Sequence, residues 1–275
     1  MSEFAGVGIS YRPEFADFQQ RLAEVVDCVE ILFEGSFPVG KEGTEVLGWP
    51  HQKAAHAMTL SPARADFQIQ PELRLLLAEA RDNGIVLLSD HLSYSSVGEY
   101  SVPNFFSCTR TAAEADRIAG NIAALREAAQ MNVAIENPVT FLSQPSDAMS
   151  ETQFVNTVLN TADCGMVLDV NNLYIDAKNN SFDPYDYIRS LDGDRIAYLH
   201  VAGHAHYRGL LVDSHDSNVD AEVWQLLDFA LGTTGAAAVI LERDNRSATE
   251  EVIMSELDIL RSIWNRHRKG TACAA

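Results

Sequence analysis

Met166-Val167-Leu168-Asp169-Val170-Asn171-Asn172 is a short apolar run that leads straight into a carboxylate. A run of this length, bounded by turn-forming residues, is the pattern of a strand buried on both faces, as in a parallel sheet. A carboxylate at the end of such a strand is costly unless a cation or a hydrogen-bond donor receives it. Asp169 could simply cap the next helix or turn, but the pattern recurs along the chain. Gly6–Tyr11, Cys28–Phe33, Ala54–Leu60 and Ile85–His91 read as strands before it. Val133–Pro138, Ile196–His204 and Ala237–Asp244 complete a set of eight. Between them, apolar residues at helical spacing predict helices at Pro13–Val26, Pro71–Asn83, Thr109–Met131, Glu151–Asn160, Tyr185–Ser190, Ala221–Leu231 and Glu250–Arg266. Residues 35–53 show no clean helix, and Tyr94–Cys108, punctuated by Gly98 and Pro103, reads as a long loop that could serve as a lid. Alternation of strand and helix means a parallel sheet with right-handed crossovers. Eight such units in 275 residues predict a single α/β domain, a (β/α)8 TIM-type barrel. Its core is expected over about residues 6–266, with a flexible tail at 267–275.

A hydrophobic fraction of 47% suits one large core. The net charge of -19 argues against nucleic acid and anionic membranes as partners. Bound cations could offset part of that acid. Cys28, Cys108, Cys164 and Cys273 are scattered and form no CxxC pair, so neither a disulfide framework nor a thiolate zinc ribbon is predicted. The N-terminal residues lack the basic-then-apolar pattern of a signal peptide, and no apolar run has membrane-spanning length. The expectation is a soluble protein of the reducing cytoplasm.

The chemistry lies in what ends the strands. His56 is on the third, Asp90-His91 end the fourth, Glu136-Asn137 the fifth, and Asp169 with Asn172 the sixth. The seventh ends in His200 with His204 and His206 just beyond; Asp213 and His215 follow, and Glu242 and Asp244 end the eighth. Taken singly, His56 could be a satisfied core histidine, Glu242-Arg243 a salt-bridged pair, and Asp213-Ser214-His215 a turn. A barrel, however, delivers all its strand ends to one face. Imidazole and carboxylate at six consecutive strand ends therefore predict a metal cluster. Without cysteine in the set, the mixture suits iron, manganese or zinc. Three histidines, two glutamates and an aspartate would serve two ions, with Glu136 placed to bridge them. Asn172, Asp213 and His215 could hold a third at the rim. Asp90, His204 and Asp244 are candidates for orienting the ligands.

The ordered set Ala55-His56-Ala57-Met58, Ser89-Asp90-His91-Leu92-Ser93, Ile135-Glu136-Asn137-Pro138, Leu168-Asp169-Val170-Asn171-Asn172-Leu173-Tyr174, His200-Val201-Ala202-Gly203-His204, Asp213-Ser214-His215-Asp216 and Leu241-Glu242-Arg243-Asp244 resembles a known family. It is that of the multinuclear non-heme iron-dependent oxidative enzymes, which includes the methanobactin-biosynthesis oxygenase and the enzyme of the 3-thiaglutamate pathway. The resemblance implies two or three iron ions (Fe2+/Fe3+) in a TIM-type barrel. Dioxygen would oxidise a cysteine of a ribosomally made precursor peptide, by β-carbon excision or by oxazolone and thioamide formation. It implies that His56, His91, Glu136, Asp169, His200 and Glu242 bind the central pair of irons, and that Asn172, Asp213 and His215 bind the third. It also implies a partner protein that grips the leader peptide. Two other classes fit the residues: a non-redox divalent-metal barrel of the xylose-isomerase type, acting as isomerase or hydrolase, and a noncatalytic metal- or peptide-binding protein.

Overall fold

A computed structural model of the protein describes residues 4–40, 44–98, 100–141, 144–244 and 248–271. In chain order its strands are β1 (Gly6–Tyr11), β2 (Cys28–Leu32), β3 (Gln52–His56), β4 (Ile85–His91), β5 (Ser93–Val97) and β6 (Tyr100–Ser107). They continue as β7 (Asn132–Glu136), β8 (Gly165–Asp169), β9 (Ile196–Val201), β10 (His204–Tyr207), β11 (Leu210–Asp213) and β12 (Ala238–Leu241). Eight of them close into a barrel in the order β1-β12-β9-β8-β7-β4-β3-β2, with every neighbouring pair parallel. The closed parallel barrel is the TIM type, as predicted.

Inside the barrel, successive inward positions change from apolar to polar. Phe4, Cys28, Ala54, Leu87, Ala134, Val167, Tyr198, Ala238 and Ile240 form their own buried apolar cluster, which plugs the interior. Side chains on a strand alternate between faces, so residue i+2 points the same way as residue i. Two residues on from Cys28, Ala54, Ala134, Val167, Tyr198 and Ile240 stand Glu30, His56, Glu136, Asp169, His200 and Glu242. On β4, Leu87 is followed at the same parity by Ser89 and His91. The plug and the ligand-type layer are thus set by one two-residue register. Outward positions such as Val29, Ile31, Ile135 and Leu168 pack against the surrounding helices in the larger core.

The helices are α1 (Gln19–Val25), α2 (Phe33–Ser36), α3 (Pro71–Asp82), α4 (Ala112–Ala129), α5 (Glu151–Ala162), α6 (Val170–Asn180), α7 (Pro184–Ser190), α8 (Ala221–Thr234) and α9 (Glu250–Thr271). Their starts are written in side chains: Thr111 accepts the Glu114 amide, and Ser150 and Gln153 form a reciprocal capping box. Between β2 and β3 the described residues form only α2 and a short 3-10 turn at Thr44–Gly48, in keeping with the irregular sequence there. Helix α9 runs on to Thr271, where a loose tail from residue 267 was expected. His267 bonds Asp228 at 2.7 Å, and Arg268 lies 4.3 Å over the Trp264 ring and bonds the Ala236 carbonyl. Residues 272–275 of that tail lie outside the described residues. No described helix is long and apolar enough to cross a membrane.

Several predicted boundaries move: the eighth strand ends at Leu241 rather than Asp244, and the helix expected over Pro13–Val26 is a 3-10 helix, Pro13–Phe18, followed by α1. The segment read as a loop over Tyr94–Cys108 is the antiparallel hairpin β5–β6, with Ser93 opposite Ser107 and Tyr94 opposite Phe106. Gly98 takes the left-handed turn conformation, φ 58°, that the reversal requires. Strand β3 ends at His56 rather than Leu60, because Met58 and Thr59 turn their amides onto the Glu34 carboxylate. Strand β8 ends at Asp169, and Val170–Asn172 are already helix. Strand β9 ends at Val201, not His204. The chain turns at Gly203, where a Cβ would stand 1.9 Å from the Ser217 carbonyl oxygen, and His204 opens the second hairpin, β10–β11. Both hairpins follow the carboxyl ends of barrel strands, so both rise from the mouth that bears the polar layer.

Candidate metal centre

Asp169 performs two tasks. Its Oδ1 caps α6, accepting the amides of Asn171 and Asn172 at 2.7 and 2.9 Å. Its Oδ2 is buried with no hydrogen-bond partner. The cap therefore occupies one oxygen and leaves the other at the strand end. Asn137 fixes the neighbouring strand ends: its amide donates to the Asp169 carbonyl and its oxygen accepts the Asp169 N–H, at 3.0 and 2.9 Å. That reciprocal pair locks β7 to β8 beside Glu136.

Glu136 Oε2 lies at the middle. It is 3.4 Å from His56 Nε2, 3.7 Å from His91 Nε2 and 3.4 Å from His200 Nδ1. His200 Nδ1 is 3.1 Å from Glu242 Oε2. One ligand atom each from His56, His91 and Glu136 falls within 4.8 Å of the others, and likewise from Glu136, Asp169, His200 and Glu242. Glu136 belongs to both groups. Yet Glu136 Oε2, Asp169 Oδ2 and His200 Nδ1 are buried without a hydrogen-bond partner. Buried polar atoms are rarely left so. Lone pairs that converge at short range without hydrogen-bond alignment are a donor set for cations. The nitrogen and oxygen donors fit first-row divalent ions, and no described sulfur joins them.

Electrostatics agree. Burial works to lower His200, but Glu242, Glu30 and Glu136 outweigh it and hold it well above its ordinary value. Burial would raise Glu242, but His200 and His215 keep it well below. Burial, with Glu136 and Asp213 near, pushes Asp169 well above the carboxylate range. Protons held among crowded carboxylates occupy the place that cations would take.

At the rim, His215 Nε2 is 2.8 Å from Asp213 Oδ1 and 3.8 Å from Glu242 Oε2. The His215 N–H bonds the Gly203 carbonyl, and the Asp244 N–H bonds the His215 carbonyl, which sews this loop to the ends of β9 and β12. Asn172 turns its Nδ2 to the Asn137 carbonyl at 3.2 Å and to Glu136 Oε1 at 3.4 Å, leaving its Oδ1 buried and unpaired. Asp213 sits on β11 rather than in a loop.

The three expected orienting residues divide. Asp244 Oδ2 is 3.2 Å from His215 Nδ1, and Arg12 holds its other oxygen at 2.6 Å. Asp90 accepts the backbone N–H of His91 at 2.6 Å and the Ser61 N–H at 3.0 Å, while its nearest approach to the His91 ring nitrogen is 3.7 Å. His204 reaches the rim through one intermediary: its Nδ1 bonds Asn171 Oδ1 at 2.9 Å, Asn171 Nδ2 donates to Asp213 Oδ1 at 3.1 Å, and the His204 ring lies against Tyr174. Arg243 does not pair with Glu242; it reaches Glu256 at 3.4 Å and Asn218 at 2.8 Å.

Four residues at the site were missed from sequence. Glu30 is fully buried and accepts from Tyr198 at 2.6 Å, from Ser10 at 2.8 Å and from His200 Nε2 at 2.9 Å. A glutamate inside Cys28-Val29-Glu30-Ile31-Leu32 was the available signal. Tyr198 and Arg12 gave none, since Tyr198 reads as an ordinary aromatic within a strand and Arg12 as polarity just past one. Phe105, on β6, stacks on the His91 ring with centroids 3.7 Å apart and planes 15° apart. A cavity of about 160 Å³ opens beside the cluster, lined among others by Arg12, Met58, His91, Phe105, His215 and Glu242.

Among solved structures, the chain is similar to the IolI protein with a bound zinc atom, at 12% identity and TM-score 0.58, covering 95% of this chain and 99% of that one. It is also similar to D-allulose 3-epimerase from Methylomonas sp., at 13% identity and TM-score 0.57, covering 98% of both. At such identities the likeness is one of fold. Sequence relatives include the UPF0276 protein of Caulobacter vibrioides, 30% identical over 278 residues, covering 100% of this chain and 99% of that protein. A family profile described as RiPP precursor modification enzyme MbnB/TglH/ChrH matches residues 6–265. The barrel, its buried cluster and this match over nearly the whole chain agree: the protein belongs to the MbnB/TglH/ChrH family of RiPP precursor modification enzymes.

Proposed function

We propose that the protein is an iron- and dioxygen-dependent oxidase or oxygenase acting on a cysteine of a ribosomally synthesised precursor peptide. The observation that carries the reading is Glu136 Oε2, buried, without a hydrogen bond, and within 3.7 Å of three imidazole nitrogens. A carboxylate so placed supports a bridging role between two cations, where it relieves their repulsion. His56 and His91 with Glu136 would hold one iron, and Asp169, His200 and Glu242 with Glu136 the other. Asn172, Asp213 and His215 would hold a third. When bound, iron supplies a site for thiolate and for the activation of dioxygen. The chain supplies the rest. The cavity beside His91 admits one side chain, Phe105 shields it from water, and Arg12 fixes Asp244 against His215. A partner protein that grips the peptide's leader belongs to the same reading.

The test combines purified iron-loaded protein, partner, precursor peptide and air, with peptide mass as the readout. The mass should change only with iron and dioxygen both present, and Cys→Ser at the target should abolish the change, because a neutral hydroxyl is a far poorer iron ligand than a thiolate. Turnover without dioxygen, with zinc or manganese in place of iron, would point instead to a non-redox isomerase or hydrolase.

A further inference from the structure

Below the cluster, a chain of hydrogen bonds joins residues from five strands. His56 Nδ1 is 2.9 Å from Ser89 Oγ, which is 2.8 Å from Tyr198 Oη. Tyr198 donates to Glu30 Oε2 at 2.6 Å, and His200 Nε2 lies 2.9 Å from the same oxygen. Glu30 Oε1 accepts from Ser10, which in turn accepts from Arg12 Nη1 at 2.6 Å.

We propose that Glu30 is a positioning residue whose carboxylate dictates which nitrogen of both His200 and His56 carries the hydrogen, so that both rings turn a lone pair to the cluster. The proposal rests on the metal-centre reading above. An ionised carboxylate accepts and cannot donate. His200 Nε2 must therefore carry the hydrogen that faces Glu30, which leaves Nδ1 toward Glu136 and Glu242. Tyr198 has one hydrogen and gives it to Glu30, so its oxygen accepts from Ser89. Ser89 has then spent its own hydrogen and must accept from His56 Nδ1. His56 Nε2 is left as the lone pair toward Glu136. Every hydrogen along the chain points at one acceptor, and one buried charge orients a histidine from each of the two ligand groups. Partners of this kind on a ligating histidine also raise its basicity.

A purely structural reading treats Glu30 as a buried polar group that is merely satisfied. That reading gives no reason for an ionic group here, since a well-packed apolar residue of similar volume is often no less stable. Glu30 is also poorly placed as a ligand itself, because both its oxygens already accept hydrogen bonds.

The experiment titrates the metal-free protein with Co(II) under anaerobic conditions and follows visible absorption. His56→Ala and His200→Ala identify the bands that belong to each group. Glu30→Gln, whose amide can donate as well as accept, should weaken both sets of bands by about 10–100-fold in affinity. Tyr198→Phe should weaken the His56 bands alone, because it frees Ser89 to turn while the Glu30–His200 contact persists. Circular dichroism checks that each barrel is intact. If Glu30→Gln does not fold, Tyr198→Phe and Ser89→Ala carry the test through the same selective loss. A folded Glu30→Gln with unchanged bands and affinity, or a Tyr198→Phe or Ser89→Ala that lowers both sets equally, would overturn the proposal. Failure of the wild type to take up Co(II) would instead overturn the metal-centre reading itself.

Discussion

Glu136 shows how much can depend on a single side chain. Among the described residues, its Oε2 is the oxygen that approaches three histidines. Glu136→Ala should therefore lose more than one equivalent of bound iron, because cations on either side would repel each other unshielded. Full retention of iron in that variant would remove Glu136 from the bridging role. Asp176, on α6, is a different case. Burial, with Glu151 near, pushes its carboxyl up to about 8, and its Oδ1 accepts the Thr140 N–H. An aspartate raised in the folded state holds a proton that the unfolded chain has released. It therefore lowers stability progressively as pH climbs from the ordinary carboxylate value of 3.8 toward 8. Asp176→Asn keeps the acceptor for Thr140. It should raise stability by on the order of 2 kcal/mol at pH about 8 and change little at pH about 4. Equal melting temperatures for variant and wild type across that range would show that Asp176 is not strained by burial.

At the level of elements, the hairpin β5–β6 is the part that covers His91 in the candidate centre. Phe105 lies flat on the His91 ring, so the hairpin shields one face of a candidate ligand. Phe105→Ala should leave the barrel folded and metal uptake intact, but speed the loss of metal to a chelator several-fold. Unchanged release would mean that the hairpin is no barrier. The hairpin also explains one misreading. Its strands interleave serine and aromatic residues around Gly98 and Pro103, a pattern short of the apolar alternation that marks a strand in sequence. Cross-strand pairing of Tyr94 with Phe106, and the anchoring of Arg64 to the Gly98 carbonyl at 2.9 Å, supply what local sequence lacks.

For the molecule as a whole, uptake of metal should depend on pH. Burial works to lower His200 and His215, but the surrounding carboxylates raise both well above 6.5. Raised histidines lend the metal-free protein stability that is complete below 6.5 and lost as pH rises through their folded values. Asp169, raised as well, acts in the same direction. Glu242 is lowered, so its contribution disappears only in acid and does not offset this trend. The metal-free protein should thus melt at falling temperatures from pH about 6 to about 9, while the metal-loaded protein, its protons displaced, holds nearly constant. Metal affinity should rise over the same interval with release of protons to solvent. Parallel melting curves for the two forms would contradict the coupling.

The sequence by itself determined the barrel and most of the candidate centre. Short apolar runs that alternate with helical spacing admit few other closures, and a parallel barrel sends every strand end to one mouth. That is why His56, His91, Glu136, Asp169, His200 and Glu242 could be named from their positions in the runs. Tertiary structure alone decided what meets across the barrel. Glu30 stands 170 residues from His200 in sequence, and no local pattern links them; only closure between β1 and β12 brings their strands to the same interior. The same holds for His204, which shares a motif with His200 yet opens β10 and bonds Asn171 rather than joining the inner layer. Periodicity fixes which face of a strand a side chain takes. Which partners it finds there depends on contacts between residues far apart in the chain.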